Sequence, residues 1–418
     1  MTDLFQDLQW RGFVQQATPG LDAHLRSGNR TVYCGFDPTA PSMQVGNAMP
    51  LMLLAHLQRG GHKPIVLMGG GTGLIGDPSG KSSERPLLPP EVIKENLQRQ
   101  RDQTARFIDF DPGKAAALVL DNAKWLVAAK LVEFLRDVGK HFTVNVMLQK
   151  ESVKARLESG LSYTEFSYML LQAFDFLQLF RTHQCTMQVG GSDQWGNITA
   201  GVDLIRRVES AEAHGFVAPL MATASGKKFG KTEAGAVWLD PAMTSPYQFY
   251  QFWINTDDRD VLSYLKVFTF MSRAEIEALH GRHATNAAAR EAQSVLARTM
   301  TALVHGDAAA DSVVAASRVL FGEFDPHGVT PQVFDVLAQE IPTITVAKDN
   351  GMALADALVQ AGLAKSKGEA RRAIEQGGVY VNQQRADLAK TIGNEDWIGG
   401  KSVLLRKGKK EYALLRAG

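Results

Sequence analysis

Between about residues 30 and 220, short apolar runs rich in β-branched side chains alternate with amphipathic stretches. Residues 31–36, 64–68, 142–147 and 186–190 read as strands, with helices between them, for instance over 50–59 and 130–138. Alternation of this kind implies βαβ units and a mostly parallel sheet. Such sheets bind ligands outside the carboxyl ends of their strands. The glycine clusters fall at those ends: Gly35, then Gly69-Gly70-Gly71, then Gly190-Gly191.

From Ser245 to about Leu320 the pattern is helical, opened by Ser245-Pro246 as cap and first-turn proline. Residues 323–351 are richer in Pro, Gly and Asp and read as a linker. Residues 352–418 form a small α+β module: a helix over 353–361, a second helix capped by Ser366 and running to Gln376, a Gly377-Gly378 break, then strands. At 418 residues the chain is too long for one ordinary core, and two or three domains are expected.

The charge is uneven. Residues 352–418 carry 12 basic and 7 acidic residues, against 33 and 37 in the remainder, for a total of +1. A basic tail on a mildly acidic body suggests a polyanionic partner held by the tail; a solvated lysine-rich end is the other reading. Two cysteines, Cys34 and Cys185, give no disulfide framework and fit a reducing cytosol. No apolar run is long enough for a membrane span. The first residues show neither a basic nor an apolar leader, so no secretion is expected.

Four segments carry candidate chemistry. The run from Tyr33 to Asn47 reads as a strand that breaks at Asp37-Pro38 and re-enters as a helix near Gln44, which aims backbone N–H groups and a helix N-terminus at one spot, as an anion requires. Residues 71–76 match G-x-G-x-x-G, but Asp77-Pro78-Ser79-Gly80 follows as a turn where dinucleotide binding needs a helix. Gly80-Lys81-Ser82 resembles the end of a P-loop, which would need glycine at position 75; the residue there is Ile75. Ser162-Tyr163-Thr164-Glu165 is a capping box opening an apolar helix. On it Tyr168, Gln172 and Asp175 share one face. Burying that stripe costs several kcal/mol unless partners satisfy it, so it belongs either to an internal polar network or to a ligand pocket. Last, residues 224–232 form a glycine-punctuated loop with Lys227, Lys228 and Lys231, suited either to following the charge of a leaving phosphate or to plain solvation.

Taken together these segments resemble the bacterial tyrosyl-tRNA synthetases, members of the class I aminoacyl-tRNA synthetases, over nearly the whole chain. The likeness rests on residues 9–12, 33–39, 72–81, 190–197, 228–232 and 252–258 in order and spacing, with 378–382 resembling the family's αL-type RNA-binding fold. It implies a Rossmann-like parallel-sheet catalytic domain over 1–222, the lysine loop and an α-helical anticodon-side domain over 223–325, a linker over 326–351 and an αL-type RNA-binding α+β domain over 352–418. It further implies attachment of L-tyrosine to tRNA(Tyr) through a tyrosyl-adenylate, with ATP and Mg²⁺ as substrate complex, no protein-ligated metal, a cytoplasmic homodimer and no membrane association.

Residue by residue, the resemblance implies that Tyr33 and Asp175 bond the phenolic hydroxyl and that Asp77, Tyr168 and Gln172 hold the ammonium group. Cys34, Gly35, Asp37, Gly46, Gly191, Asp193, Gln194 and Lys231 fall at ATP. Thr39, Gln44, Asn47, Lys81, Arg85, Lys228 and Lys231 fall at the reacting phosphates. The family's His-x-Gly-His signature stands here as Gln44-Val45-Gly46-Asn47. The first step needs no general base, because the amino-acid carboxylate is ionised at pH 7. Side-chain amides keep the hydrogen-bond donors of the two histidines and give up any positive charge. Activity is therefore expected. A catalytically weakened RNA-binding relative, a tryptophan enzyme of the same class and an unrelated nucleotidyltransferase are the alternatives.

Overall fold

The computed structural model describes residues 3–79, 87–113, 115–150, 153, 154, 157, 160–226, 229–232, 235–321, 329–348 and 351–418. They divide by internal contact into two units, Met1–Ser245 with Phe252–Val304 and Pro246–Gln251 with His305–Gly418.

The first unit is built on six strands: β1 (Gln16–Ala17), β2 (Thr31–Phe36), β3 (Lys63–Met68), β4 (Leu118–Asp121), β5 (Cys185–Gly191) and β6 (His214–Ala218). Their order is β1-β6-β5-β2-β3-β4. All neighbours run parallel except β1 against β6. Val32, Tyr33 and Cys34 of β2 and Ile65, Val66 and Leu67 of β3 are buried, as strands covered on both faces must be. From β2 the chain winds one way through β3 and β4. It then returns beside β2 as β5 and leaves the other way through β6. A crevice opens between carboxyl ends of strands that depart in opposite directions, here β2 and β5.

The helix after β2, Val45–Arg59, begins at Gln44 in extended backbone (φ −94°, ψ 162°) and buries Leu51 through Leu54. Helix Tyr163–His183 is capped by the Ser162 side chain, which accepts from the Glu165 N–H, and ends at Gln184 with φ 51°. Residues 72–74 make one short 3₁₀ turn, so the glycine motif at 71–76 opens no long helix.

Two expectations are corrected. Residues 142–147 are no strand: their alternating valines stand 59% and 50% exposed on the short helix Val144–Leu148, and the edge strand is Leu118–Asp121. A β-branched alternation without an apolar partner surface does not make a strand. The stretch 326–351 is not simply a linker. It holds helix Pro331–Glu340 and strand Thr343–Val346, which pairs in parallel with Glu411–Ala417. That strand closes a five-stranded sheet, over which Leu354–Gln360 and Lys367–Glu375 bury Leu354, Leu358, Ala370 and Ile374 against Val403, Leu405 and Leu415.

In the first unit His56 lies between the rings of Phe13 and Phe270, at 5.5 and 5.1 Å between centroids. Burial, with Arg11 and Arg59 nearby, pushes its pKa down to about 3. The folded protein therefore refuses a proton that the unfolded chain takes near pH 6.5. Stability held above pH 6.5 should decline as the pH falls towards 4, by roughly 3 kcal/mol for a group displaced this far. Urea unfolding midpoints across that range, for the native protein and His56→Phe, check this; the variant should show a shallower decline.

Candidate active site

At the carboxyl ends of β2 and β5 lies a cavity of about 640 Å³. Tyr33, Cys34, Gly35, Asp37 and Thr39 reach it from β2 and the turn that follows. Gly46, Asn47 and Pro50 come from the start of the next helix, and Asp77 from the segment after β3. Tyr168, Gln172 and Asp175 face it from the helix Tyr163–His183, and Gly191, Asp193 and Gln194 from the end of β5. Gln44 is half-buried beside the cavity but does not line it. Lys231 is exposed on the two-residue strand Lys231–Thr232, outside the lining. Lys81, Arg85 and Lys228 lie outside the described residues.

The closed end is organised around Asp175, which is 2% exposed. Trp125 Nε1 donates to its Oδ1 at 2.7 Å and Asn122 Nδ2 to its Oδ2 at 2.9 Å. Burial still pushes its pKa up to about 8, against the lowering effect of those two donors. Asn122 also donates to Thr72 Oγ1 at 3.0 Å and accepts from the Gly71 N–H at 2.8 Å. Thr72 Oγ1 in turn donates to Asp37 Oδ1 at 2.7 Å, and the Tyr168 hydroxyl donates to Asp37 Oδ2 at 3.0 Å. Position 69 must be glycine: an added Cβ would sit 2.0 Å from Asp37 Oδ1. Tyr33 is buried, its ring packed on Phe176 at 5.2 Å, and its hydroxyl has no hydrogen-bond partner among the described residues. Burial and the neighbouring Asp175 push that phenol's pKa well up, so it stays a neutral donor.

Higher in the cavity Asp77 accepts from the Ser79 N–H at 2.9 Å and from Gln194 Nε2 at 2.7 Å. Gln172 Nε2 donates to Gln194 Oε1 at 3.3 Å, and Asn197 Nδ2 donates to Gln172 Oε1 at 3.2 Å. The carboxyl groups of Asp37, Asp77 and Asp193 give the cavity an acidic wall that suits a cationic group, above the buried polar base around Asp175. The Cys34 thiol is pushed up to about 12 by burial, with the Asp193 charge beside it, so it is a neutral thiol.

At the rim the Gln44 N–H donates to Asn47 Oδ1 at 2.9 Å. Asn47 thus spends its acceptor on its own helix cap. Its Nδ2 remains as a donor at the cavity beside Gly46. Pro50 has no N–H, which removes the helical donor from the Gly46 carbonyl. The return of the lysine loop is tied to the same place: Val45 N–H donates to the Val237 carbonyl and Leu239 N–H to the Met43 carbonyl, both at 2.9 Å. Gly230 (φ 78°) comes so close that a Cβ would lie 2.8 Å from Val45 Cγ1. Before it, Phe229 stacks on Phe268 at 5.3 Å and meets Tyr264 edge-on at 5.1 Å.

Sequence reasoning missed Asn122, Trp125, Thr72 and Asn197. Asn122 sits immediately after β4, the strand whose position was misread, so nothing marked it as a strand-end residue. Asn122→Ala deletes two donors and an acceptor from a buried network. It should lower the free energy of unfolding by roughly 2–4 kcal/mol, read from urea titration.

Residues 26–322 match the family model for class I tRNA synthetases (W and Y), and residues 333–415 match the tyrosine–tRNA ligase SYY-like C-terminal domain. The chain is 51% identical to the tyrosine–tRNA ligase of Roseiflexus castenholzii and 54% identical to that of Anaeromyxobacter dehalogenans strain 2CP-1, with 100% of each chain covered in both cases. Among solved structures it resembles a C-terminally truncated mitochondrial tyrosyl-tRNA synthetase of Aspergillus nidulans, at 32% identity and a TM-score of 0.70, covering 77% of this chain and 95% of that one. Glycine-rich ends of the central strands, a cavity with an acidic wall, the family-model match and full-length matches to curated ligases converge: the chain belongs to the tyrosine–tRNA ligases of the class I tRNA synthetases.

Proposed function

We propose that the protein joins L-tyrosine to tRNA(Tyr) in two ATP-dependent steps through a tyrosyl-adenylate. The observation that carries this reading is the base of the cavity, which Asp175 and Tyr33, with its unpartnered hydroxyl, both line. A phenolic hydroxyl donates one hydrogen bond and accepts others. It would donate to Asp175 and accept from Tyr33. Phenylalanine would leave both groups desolvated and short of a partner, which is costly. Asp77, Tyr168 and Gln172 are assigned to the ammonium group, whose charge the acidic wall favours.

In the first step a carboxylate oxygen of tyrosine attacks the α-phosphorus of ATP·Mg²⁺. The bond to the bridging oxygen breaks and pyrophosphate leaves with that electron pair. The carboxylate is already ionised, so rate must come from positioning and from donors aimed at developing phosphate charge. Those donors are assigned to the helix start at Gly46, to Asn47 Nδ2, to Gln44 and Thr39, and to Lys81, Arg85, Lys228 and Lys231. Cys34, Gly35, Asp37, Gly191, Asp193 and Gln194 are assigned to the remainder of ATP. In the second step a hydroxyl of the terminal ribose of the tRNA attacks the adenylate carbonyl and AMP leaves. The basic stretch 352–418 is assigned to the tRNA. Among the described residues no helix is long and apolar enough to cross a membrane; a cytoplasmic place is assigned as part of the same reading.

Amino-acid-dependent exchange of labelled pyrophosphate into ATP tests the reading. Exchange is expected with tyrosine and not with tryptophan or phenylalanine; none with any amino acid would overturn it. Asn47→Ala should cut the exchange kcat by about 10- to 100-fold with KM for tyrosine unchanged, because that donor meets phosphate and not tyrosine.

The chain is also assigned to a homodimer. Of fifteen large apolar side chains exposed among the described residues, nine fall between 127 and 163, including Val132 at 76% and Tyr163 at 75%. Clustering of this kind marks a surface that another protein covers. A second copy is proposed as the occupant because the cluster belongs to the catalytic unit and to a different part of the chain from the basic residues 352–418 assigned to RNA. Sedimentation equilibrium should give twice the chain mass, and Val132→Asp, a change at an exposed position, should shift it towards one chain mass.

A further inference from the structure

Helix Val261–Phe268 opens on Asp260, an N-cap aspartate whose side chain makes no cap bond to its own helix. Aspartate at an N-cap ordinarily accepts from the N–H of the second or third helical residue, here 262 or 263. This one is turned elsewhere. Both its oxygens accept from the Ala224 N–H, Oδ2 at 2.9 Å and Oδ1 at 3.1 Å. Asp260 is 8% exposed, and a charge-assisted bond of this kind is roughly twice as strong as a neutral one. Ala224 stands where the lysine segment begins. The Gly226 N–H closes a turn onto the Thr223 carbonyl at 2.8 Å, and Gly226 takes φ 75°. Beyond Lys227 and Lys228 the chain meets the same helix again, where the Phe229 ring packs on Tyr264 and Phe268. Asp260, Tyr264 and Phe268 follow at intervals of four and share one helix face. One face of one helix thus receives the chain on both sides of the two lysines. Gly226 and Phe229 line the cavity, and the helix packs on Val45–Arg59, whose first residues line it too.

We infer that Asp260 is a positioning residue for the adenylation step: its carboxylate fixes the entry of the lysine segment at the cavity, so that the lysines act from a set place. The inference rests on the ATP reading proposed above and deepens it. Donors aimed at developing phosphate charge are effective when they need no reordering as that charge appears. Lysine carries its ammonium group on a long flexible stem, so its delivery depends on how firmly the backbone beneath it is held. Position 224 contributes only a main-chain N–H, which every residue except proline supplies. The attachment therefore depends on the carboxylate at position 260. Asp260 does not line the cavity, so its charge serves the loop and stays apart from the phosphates.

The test compares the full-length native protein with Asp260→Ala, which removes the acceptor, and with Asp260→Asn, which keeps one neutral acceptor oxygen. Tyrosine-dependent pyrophosphate exchange by the native protein is measured first; its absence would overturn the functional reading itself. With exchange present, Asp260→Ala should lower its kcat by about tenfold with KM for tyrosine unchanged, and Asp260→Asn by a smaller factor. Amide hydrogen exchange, read on peptides, should quicken by about tenfold over residues 221–226 in Asp260→Ala and stay level over 262–268. An unchanged kcat in Asp260→Ala overturns the inference. So does faster hydrogen exchange over 262–268 with kcat and KM for tyrosine shifted together, which would make Asp260 a support of its own helix. Should Asp260→Ala fail to fold, Asp260→Asn decides alone, by the same separation of kcat from KM.

Discussion

A carboxyl group buried as deeply as Asp175 dictates what surrounds it. Without partners an ionised carboxylate at that depth is prohibitive, and even with two donors its proton is held up to about pH 8. Each donor must itself be fixed, or the bond would not repay the ordering of both side chains. Asn122 is fixed by the backbone at Gly71 and by Thr72, and Thr72 by Asp37, which also receives Tyr168. A run of hydrogen bonds from Asp175 to Tyr168 therefore ties helix Tyr163–His183 to the segments leaving β2, β3 and β4. Glycine at 69 follows from the same demand, since Asp37 occupies the space a side chain would need. The network is closed on its protein side and open towards the cavity.

The start of helix Val45–Arg59 obeys a different constraint, mechanical more than electrostatic. Helix Val45–Arg59 must present its first N–H groups in a fixed direction for an anion to be recognised at all. Two backbone bonds to residues 237 and 239, on the chain that returns from the lysine loop, hold that start in place. Phe229 seats one side of the loop in an aromatic cluster, and Gly230 lets the chain pass Val45 closely. Lys231 follows directly on these two residues, so its backbone leaves from beside the start of helix Val45–Arg59.

Much of this was legible in the residues. Strands β2, β3 and β5 announce themselves as β-branched runs closed by glycine, and the stripe Tyr168, Gln172 and Asp175 shows by its spacing alone that one face of an apolar helix needs partners. The residues that resolve the choice between network and pocket were not legible, because both readings hold: Asn122, Thr72 and Trp125 make the network, and the open side of Asp175 makes the pocket. Asn122 and Trp125 are dispersed polar or aromatic residues whose roles depend on where β4 lies. That strand is four residues long, with no alternation to mark it. Residues 142–147 show the reverse error, since their pattern is that of a strand although no sheet edge is there to receive them. Strand Thr343–Val346 was hidden by its surroundings, a short β-branched run in a Pro- and Gly-rich stretch whose partner lies some seventy residues later.

The substitution of amides for the two signature histidines is best understood from what Asn47 does with its own atoms. Its Oδ1 is committed to the Gln44 N–H, which sets the orientation of the side chain and leaves Nδ2 as donor at the cavity. A histidine there could donate from either nitrogen, and its charge would change near pH 6.5. The asparagine cannot change charge, so the number of donors it offers is constant. Gln44 contributes through its backbone, as the residue whose N–H pins that orientation and whose neighbours pair with residues 237 and 239. The main-chain N–H of residue 44 thus fixes where the Asn47 amide points.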